Sequence, residues 1–288
     1  MSKTAIVSLL LFLQACFSLN EEIKPEYQDY QLSNVPYKLY SPYAEYKLHW
    51  DLEEISGLSY YKNNQLLAIE DETGNVYIID GDSGEKTRKI KFAKGGDYEG
   101  IEIDDNLIWV MESNGTFYSF EIKDDQAINV DEFQSDFTSK NDLEGLTYNN
   151  GSLIIAAKGE GSIKGIDNKG KGIYEIKEDK PEPLFFIHHH DLKGFIKERE
   201  FFNEINDFDP SAIAIHPITG DFYILSADHI LVVYSKELEL KEIVKLDKHI
   251  FTQPEGICFS PEGIMFISSE GDGDKGELFR FNPVTDEK

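Results

Sequence analysis

A short acidic phrase recurs five times along the chain, each time with a small residue at the same place. The position directly before that small residue holds a hydroxyl or a carboxylate: Ser56, Glu99, Glu144, Ser211 and Glu255. Carboxylates brought close together repel one another unless a cation lies between them, and oxygen-only ligands suit Ca²⁺ before Mg²⁺ and well before zinc. A fold that gathers these positions would create a calcium site, with the small residue letting the backbone approach the ion. The alternative is that the glutamates cap strand ends and accept hydrogen bonds from backbone NH groups of a neighbouring strand.

A second set of polar residues follows the next strand-like segment of each repeat. Its members are Asp71, Glu112, Lys158, Asp228 and Glu270. We expect them at the mouth of the same face, where Lys158 is the one cation among acids. Two interpretations of Lys158 stay open: a contact for a carboxylate or phosphate of a substrate, or a charge that balances Glu112 and Glu160.

The familiar catalytic patterns are missing from the sequence. There is no G-x-S-x-G elbow, no H-E-x-x-H, no P-loop and no C-x-x-C pair. Three consecutive histidines, His188, His189 and His190, suggest a metal site, but neighbours on an extended chain point in alternating directions, which favours an exposed loop or a partner contact. His216 and His229 lie within repeats, and neither can be assigned as a general base. No catalytic residue is therefore proposed from the sequence.

The spacing of the phrase indicates the fold that must position these residues. Aligned on Gly57, Gly100, Gly145, Ala212 and Gly256, the copies are 43, 45, 67 and 44 residues apart. Periods of about 40–50 residues are those of propeller blades. Each repeat contains short alternating apolar segments separated by Asn, Asp and Gly, as four antiparallel strands do. The sequence predicts an all-β, five-bladed β-propeller over residues 43–288, with the recurring phrase lining the central channel.

Two irregularities in the repeat predict how the ring closes and where it is interrupted. The last repeat runs out after its third strand, and one strand-like segment, Tyr46–Trp50, precedes the first repeat. We expect this segment to complete blade 5, because a ring leaves no open edge only if its first and last blades are joined. The long interval holds an insertion at about residues 187–207, with a short helix predicted over Leu192–Ile205.

The first residues predict export. Ala5–Leu13 is an apolar run too short to span a bilayer, and residues 1–15 have the layout of a signal peptide. Leu13 and Cys16 are spaced as in a lipobox, which predicts lipidation at Cys16; ordinary signal cleavage nearby is the alternative. Residues 16–42 are interpreted as a lipidated tether. The protein is expected at the cell envelope, on its periplasmic or surface side, touching the membrane only through the anchor.

Charge and cysteine content limit the partners. The chain has 28 Lys and Arg against 54 Asp and Glu, a formal charge of −26, which argues against nucleic acid as a partner. Such a surface attracts cations, basic proteins or cationic sugars. Cys258 is the only cysteine besides Cys16 and lies in an apolar run, so it is expected to be buried and unreactive. We expect a monomer.

The repeated D-x-E-G-[IL] phrase resembles the SdiA-regulated domain family of bacterial envelope proteins. Leu66–Glu72 and Gln253–Ile257 share the resemblance, which covers about residues 46–282. It implies a five-bladed propeller, distantly related to NHL-repeat propellers, with a bound calcium that we carry over to Glu99, Glu144 and Glu255. It implies no reaction.

Three functional hypotheses follow. The leading one is a calcium-loaded propeller, held at the envelope, that binds an unknown small ligand or envelope protein. The second is a metal-dependent hydrolase of lactones or phosphate esters, in which the metal polarises the scissile group and Lys158 or a mouth carboxylate assists. The third is a protein-interaction module whose insertion docks a partner while the metal is structural.

Overall fold

The computed structural model describes residues 34–163, 168–177, 180–199, 205 and 207–284. In this part of the chain, twenty strands form five four-stranded antiparallel sheets. The innermost strand of each sheet contacts the innermost strands of the two neighbouring sheets, so the five sheets form a closed circle. The predicted all-β, five-bladed propeller is confirmed.

The strands follow the repeat in regular order after β1 (Ala44–Lys47). Blade 1 is β2 (Ile55–Tyr60), β3 (Gln65–Glu70), β4 (Asn75–Asp80) and β5 (Lys86–Lys91). Blade 2 is β6 (Tyr98–Asp104), β7 (Leu107–Glu112), β8 (Thr116–Lys123) and β9 (Gln126–Gln134). Blade 3 is β10 (Leu143–Asn149), β11 (Ser152–Ala157), β12 (Lys171–Lys177) and β13 (Lys180–Ile187). Blade 4 is β14 (Pro210–Ile215), β15 (Phe222–Ser226), β16 (Ile230–Tyr234) and β17 (Leu240–Lys245). Blade 5 contains β18 (Gln253–Phe259), β19 (Met265–Glu270) and β20 (Glu277–Phe281).

Turn chemistry fixes the register of the hairpins. Between β10 and β11 the loop is Asn150-Gly151, both at positive φ (48° and 97°), with Asn149 paired to Ser152. Two positive φ values define the tight turn whose twist matches that of the flanking strands, and Asn-Gly is its preferred sequence. The inward and outward faces of the blade are set by this register.

Five apolar clusters hold the molecule together, and each fills the seam between adjacent blades. Blades 1 and 2 share a core that includes Ile78 and Ile101, and blades 2 and 3 share one that includes Phe117 and Ile155. The remaining clusters join blades 3 to 4, 4 to 5 and 5 to 1. Since both faces of each sheet are covered, burial of apolar surface stabilises the ring as a whole.

The amino-terminal strand closes the ring as predicted. Strand β1 pairs antiparallel with β20, Ala44 opposite Arg280 and Lys47 opposite Glu277. It lies earlier than the predicted Tyr46–Trp50 because a 3₁₀ turn begins at Trp50, capped by the His49 ring, which accepts a hydrogen bond from the Asp51 NH.

The described part of the insertion contains a helix, α1 (His189–Arg199), which begins earlier than the predicted Leu192. Leu192 and Ile196 are buried in the cluster between blades 3 and 4. The His189 ring donates a hydrogen bond to the Ile205 carbonyl, whereas His190 is exposed beside Asp191. Within the part of the chain described, no helix is long and apolar enough to cross a membrane.

The carboxyl-terminal part of the predicted tether packs against the propeller. Tyr37 and Leu39 are buried in the cluster between blades 4 and 5. We call residues 34–43 the strap. The predicted signal peptide and Cys16 lie outside the described residues.

Candidate functional site

Each blade begins with an irregularity at the position that the repeat singled out. The pairing between the first and second strands shifts by one residue at Ile55/Gly57, and equivalent shifts occur in the other four blades. The residue skipped in each case is the one before the repeated small residue. A bulge of this kind bends the strand and re-aims the side chain of the extra residue. We call these five residues the entrance ring: Ser56, Glu99, Glu144, Ser211 and Glu255.

The small residue beside each ring position allows the blades to approach one another. A Cβ atom added to Gly100 would lie 2.5 Å from the Leu146 Cβ, and one added to Gly145 would lie 2.9 Å from the Ile213 nitrogen. In both cases the obstacle belongs to the next blade. The glycines therefore allow close packing between the blades around the channel.

The two serines of the ring connect neighbouring blades. The Ser56 hydroxyl donates a hydrogen bond to the Tyr98 carbonyl at 2.6 Å, and the Ser211 hydroxyl donates one to the Pro254 carbonyl at 2.7 Å. Each acceptor immediately precedes the ring glutamate of the following blade. The serines thus hold the backbones that carry Glu99 and Glu255.

Glu144 is paired with the lysine of the mouth set. The Lys158 Nζ lies 2.9 Å from Oε1 of Glu144, whose side chain is almost fully buried. Burial raises the pKa of Glu144 to about 7, although the ion pair with Lys158 opposes the increase. Burial disfavours the charge on Lys158, but Glu144 outweighs this, so the pKa of Lys158 lies above its usual range. Lys158 therefore keeps its charge near neutral pH, whereas Glu144 is only partly ionised there.

Glu255 shares an amide with Glu270 of the mouth set. The Gln253 side chain donates hydrogen bonds to Oε1 of Glu255 at 3.0 Å and to Oε2 of Glu270 at 2.8 Å. Burial, with the charge of Glu144, raises the pKa of Glu255 to about 8. Burial, with the charge of Asp71, raises the pKa of Glu270 to about 7. One neutral amide therefore separates two carboxyl groups that each resist ionisation.

Glu99 receives no hydrogen bond from any described residue. Its partial burial is the main reason that its pKa rises to about 10, and the nearby carboxylates of Glu144, Asp97 and Glu255 add to the shift. Of the three ring glutamates it is the one least able to carry a charge without a cation.

The other mouth residues divide into two kinds. Asp71 has a buried Oδ1 with no hydrogen-bond partner among the described residues, and burial raises its pKa to about 6. Glu112 instead accepts hydrogen bonds from Asn114 and Tyr118 on its own blade. Asp228 accepts one from the Asp209 NH and caps its own loop. Asp71, Lys158 and Glu270 thus act electrostatically with the ring, and Glu112 and Asp228 are used locally.

These acids do not form a ready-made metal site. In the described ranges, no three His, Cys, Asp or Glu side chains are arranged to hold an ion. Lys158 engages Glu144 and Gln253 engages Glu255, so these two carboxylates already have partners, whereas Glu99 has none among the described residues. The donor set has the chemistry that a hard cation prefers.

One partly buried acid on an innermost strand was missed by the sequence reasoning. Glu102 lies on β6, two residues beyond the repeated glycine, and accepts hydrogen bonds from Ser59 of blade 1 and Thr147 of blade 3. Burial raises its pKa, and hydrogen bonds from the Ser59 hydroxyl and the Ile103 NH oppose the increase. The same alignment of the repeats, extended two positions beyond the small residue, points to Glu102. The buried Cys258 occupies the equivalent position of blade 5.

The histidines within repeats have structural roles. The His216 Nδ1 accepts hydrogen bonds from the Ile218 and Thr219 NH groups, so Nε2 carries the proton and donates to the Tyr37 oxygen at 2.9 Å. The His229 ring donates to the Phe251 carbonyl at 2.8 Å. Neither contacts the entrance ring.

Comparisons with known proteins agree with this architecture. The family model described as SdiA-regulated matches residues 45–272. No curated protein is similar enough in sequence to be matched. Among solved structures, a glutaminyl cyclase from Myxococcus xanthus superposes with a TM-score of 0.53 at 13% identity, covering 84% of this chain and 95% of that one. A luciferin-regenerating enzyme gives a TM-score of 0.52 at 10% identity with the same coverage, 84% and 95%. At these identities the likeness establishes the fold alone.

Proposed function

The chain belongs to the SdiA-regulated family, and from that premise we propose that it is an envelope binding module whose entrance ring holds a calcium ion. The observation that carries the proposal is the set of three ring glutamates, raised in pKa, among which Glu99 has no hydrogen-bond partner in the described residues. Oxygen donors of this kind suit a hard cation. Glu99, Glu144 and Glu255 would hold it, with Glu144 and Glu255 exchanging their contacts to Lys158 and Gln253 for the ion.

The proposed ligand of the module is a positively charged small molecule. A cleft with a volume of about 200 Å³ lies beside the mouth. Its lining includes the exposed Trp50, Tyr77, six acidic or hydroxyl side chains and one cation, Lys89. An aromatic face among carboxylates attracts ammonium groups through cation–π and charge interactions. The ammonium of Lys275 already lies 5.5 Å from the centre of the Trp50 ring. Titration with spermidine and glucosamine, followed by Trp50 fluorescence, tests this part; an unchanged signal in both titrations would exclude these ligands.

The calcium proposal is tested on the full-length mature protein. After exhaustive dialysis, we expect about one tightly held calcium per chain by mass spectrometry, and thermal melting that EDTA lowers and Ca²⁺ restores. The double variant Glu99→Gln/Glu144→Gln should lose the ion. Glu112→Gln is the matched control, because it removes one mouth carboxylate that is bound only on its own blade. Equal calcium content in the wild type and the double variant would show that the ring is not the site.

The envelope location is proposed from the leader sequence. Lipid at Cys16 would hold the propeller at the membrane through the residues that precede the strap. Cys16→Ser should move the protein from the membrane fraction to the soluble fraction. Retention of the variant in the membrane would contradict lipidation at this position.

A hydrolase remains the second candidate, because Lys158 lies beside the ring, where it could contact a substrate carboxylate or phosphate. A screen of lactones and phosphate esters with Ca²⁺ present tests it. Turnover that survives Glu255→Gln would not come from this site.

A further inference from the structure

One position of the mouth set breaks the acidic pattern. Counted from the residue paired with the repeated small residue, Lys158 of blade 3 occupies the place that Asp71 holds in blade 1 and Glu270 in blade 5. Blades 2 and 4 have Ser113 and Ala227 at this place. Its ammonium lies 2.9 Å from Oε1 of Glu144, a residue of the entrance ring. The one lysine of the mouth set therefore reaches directly into the group of acids that would surround a metal.

The backbone at Lys158 is fixed from both sides. Its NH donates a hydrogen bond to the Asp142 carbonyl at 2.8 Å, just before the bulge that presents Glu144. Its carbonyl accepts one from the Lys171 ammonium at 2.6 Å, and that ammonium also contacts Asp209 of the next blade at 2.6 Å. These bonds hold the start of the Lys158 side chain over the ring, so its contact with Glu144 is preorganised.

From this geometry we propose that Lys158 is a built-in competitor of the metal. In the metal-free protein its ammonium supplies the positive charge that the buried Glu144 needs. Calcium takes Glu144 only when the ammonium withdraws, because two cations on one buried carboxylate repel each other. The inference rests on the proposed calcium site and adds that the pair sets its affinity: the protein folds without the ion, and calcium binds more weakly than the three glutamates alone would allow.

The test compares calcium affinities of full-length mature variants by calorimetry at pH 7.5 and constant ionic strength. Lys158→Met should lower the Kd for Ca²⁺ by about tenfold or more, since a competing ion pair with a buried carboxylate is lost. Lys177→Met is the control: it removes the same charge from the same blade, but Lys177 pairs with Glu175 at the exposed end of β12. Its Kd should stay within about twofold of the wild-type value.

A second measurement uses the wild-type protein itself, so that the inference stays testable if the methionine variant does not fold. Saturating calcium should free the Lys158 ammonium and speed its acetylation by acetic anhydride, read by peptide mass spectrometry, while the acetylation of Lys177 stays constant. Lys158→Gln, whose amide can still donate a hydrogen bond to Glu144, is a second variant for the calorimetric measurement of calcium affinity.

The outcomes separate the two proposals. Calcium binding that is equal in the wild type and Lys158→Met, or weaker in the variant, would overturn the competitor role and leave the calcium site standing. Acetylation of Lys158 that calcium does not change would overturn it as well. The absence of calcium binding in both proteins would overturn the competitor role together with the proposed calcium site.

Discussion

At the scale of single residues, the bulge position that recurs in each blade has two different roles around the entrance ring. The hydroxyls of Ser56 and Ser211 are committed to carbonyl groups of the next blade, whereas the carboxylates are exposed to one another's charge. A serine can donate to a backbone carbonyl and an ionised glutamate cannot. The residue type at the bulge therefore decides whether that blade contributes a connection to its neighbour or a negative charge to the centre.

Glu99→Gln should stabilise the metal-free protein at pH 8. The raised pKa of Glu99, about 10, means that burial and the neighbouring acids penalise its ionised form in the folded state. A neutral amide of similar shape removes that penalty, with a gain on the order of 1–3 kcal/mol in the free energy of unfolding. Urea unfolding in EDTA measures it. Glu45→Gln, at an exposed position, serves as control. If both variants changed the free energy of unfolding equally, the ionised form of Glu99 would carry no penalty beyond that of an exposed glutamate.

Ser211→Ala should weaken the seam between blades 4 and 5. The hydroxyl is fully buried, and its loss leaves the Pro254 carbonyl without that donor, a cost of about 1–2 kcal/mol. Thermal melting of this variant, compared with that of the exposed Ser139→Ala, measures the effect. A melting temperature equal to that of the control would mean that the bond is not needed for the seam.

The sequence identified the ring glutamates but not the side chains that form ion pairs or hydrogen bonds with them. Glu99, Glu144 and Glu255 follow from alignment, because a repeat places equivalent positions at equivalent heights. The pairing of Glu144 with Lys158 and the amide bridge from Gln253 depend on rotamers chosen across strands, which a one-dimensional pattern does not contain. The sequence grouped Glu112 and Asp228 with Asp71, but the strand register separates them. Counted from the residue paired with the repeated small residue, Asp71 lies two positions on, Glu112 one and Asp228 three, and the last two bond within their own blades.

At the scale of elements, the strap is the least expected part of the fold. The sequence indicated a tether up to residue 42, since the segment is polar and rich in Tyr and Pro. Tyr37 nevertheless packs against Tyr223 and Phe259, with ring centres 6.3 and 6.1 Å away. Its hydroxyl donates to the Gly263 carbonyl at 2.7 Å and accepts from His216. Tyr37, together with the buried Leu39, thus makes an apparent linker part of the core, and two isolated apolar residues leave no periodic pattern in the sequence.

Strand positions were more predictable, for a physical reason. The apolar segments and the Asn, Asp and Gly clusters between them, such as Asp104-Asp105-Asn106 and Ser113-Asn114-Gly115, separate β6 from β7 and β7 from β8. Turn residues of this kind mark strand ends in the sequence itself. The ends of β1 and α1 shifted because local caps, such as the His49 ring, decide where an element begins.

Tyr37→Phe should loosen the strap. The change leaves the His216 Nε2–H and the Gly263 carbonyl without their buried partner, at a cost of about 1–3 kcal/mol, while the aromatic packing is kept. Limited proteolysis before β1 and thermal melting measure it. Tyr43→Phe is the control, since Tyr43 is 67% exposed. If both variants are cleaved at the same rate, the hydroxyl is not what fastens the strap.

At the scale of the whole molecule, the burial of apolar surface between the blades opposes the repulsion within a large negative charge. The five clusters bury the faces of every blade, and the formal charge of −26 opposes compactness through self-repulsion. Ionisation is most unfavourable at the channel entrance, where Glu99, Glu255, Glu144, Glu270 and Asp71 all have raised pKa values.

The metal-free protein should therefore lose stability as pH rises from about 5 to 9. A carboxyl group whose pKa is higher in the folded than in the unfolded state favours folding when protonated, so its contribution is present below the unfolded value and is lost as pH rises through the folded value. Those folded values are about 6 for Asp71, about 7 for Glu144 and Glu270, about 8 for Glu255 and about 10 for Glu99.

His216 acts in the opposite direction. Burial lowers the pKa of His216 below 6.5. The stability that its neutral form contributes is therefore lost only as pH falls below 6.5. The maximum of stability in EDTA should consequently lie at weakly acidic pH.

Urea unfolding between about pH 5 and 9 at fixed ionic strength measures how the free energy of unfolding depends on pH. Saturating Ca²⁺ should flatten this dependence, because a bound ion removes the penalty on the ionised acids, and Glu99→Gln should flatten it in EDTA. A metal-free stability that is constant or rises between pH 6 and 9 would mean that the acids of the entrance ring ionise without cost, and the charge argument for a cation at this ring would fail with it.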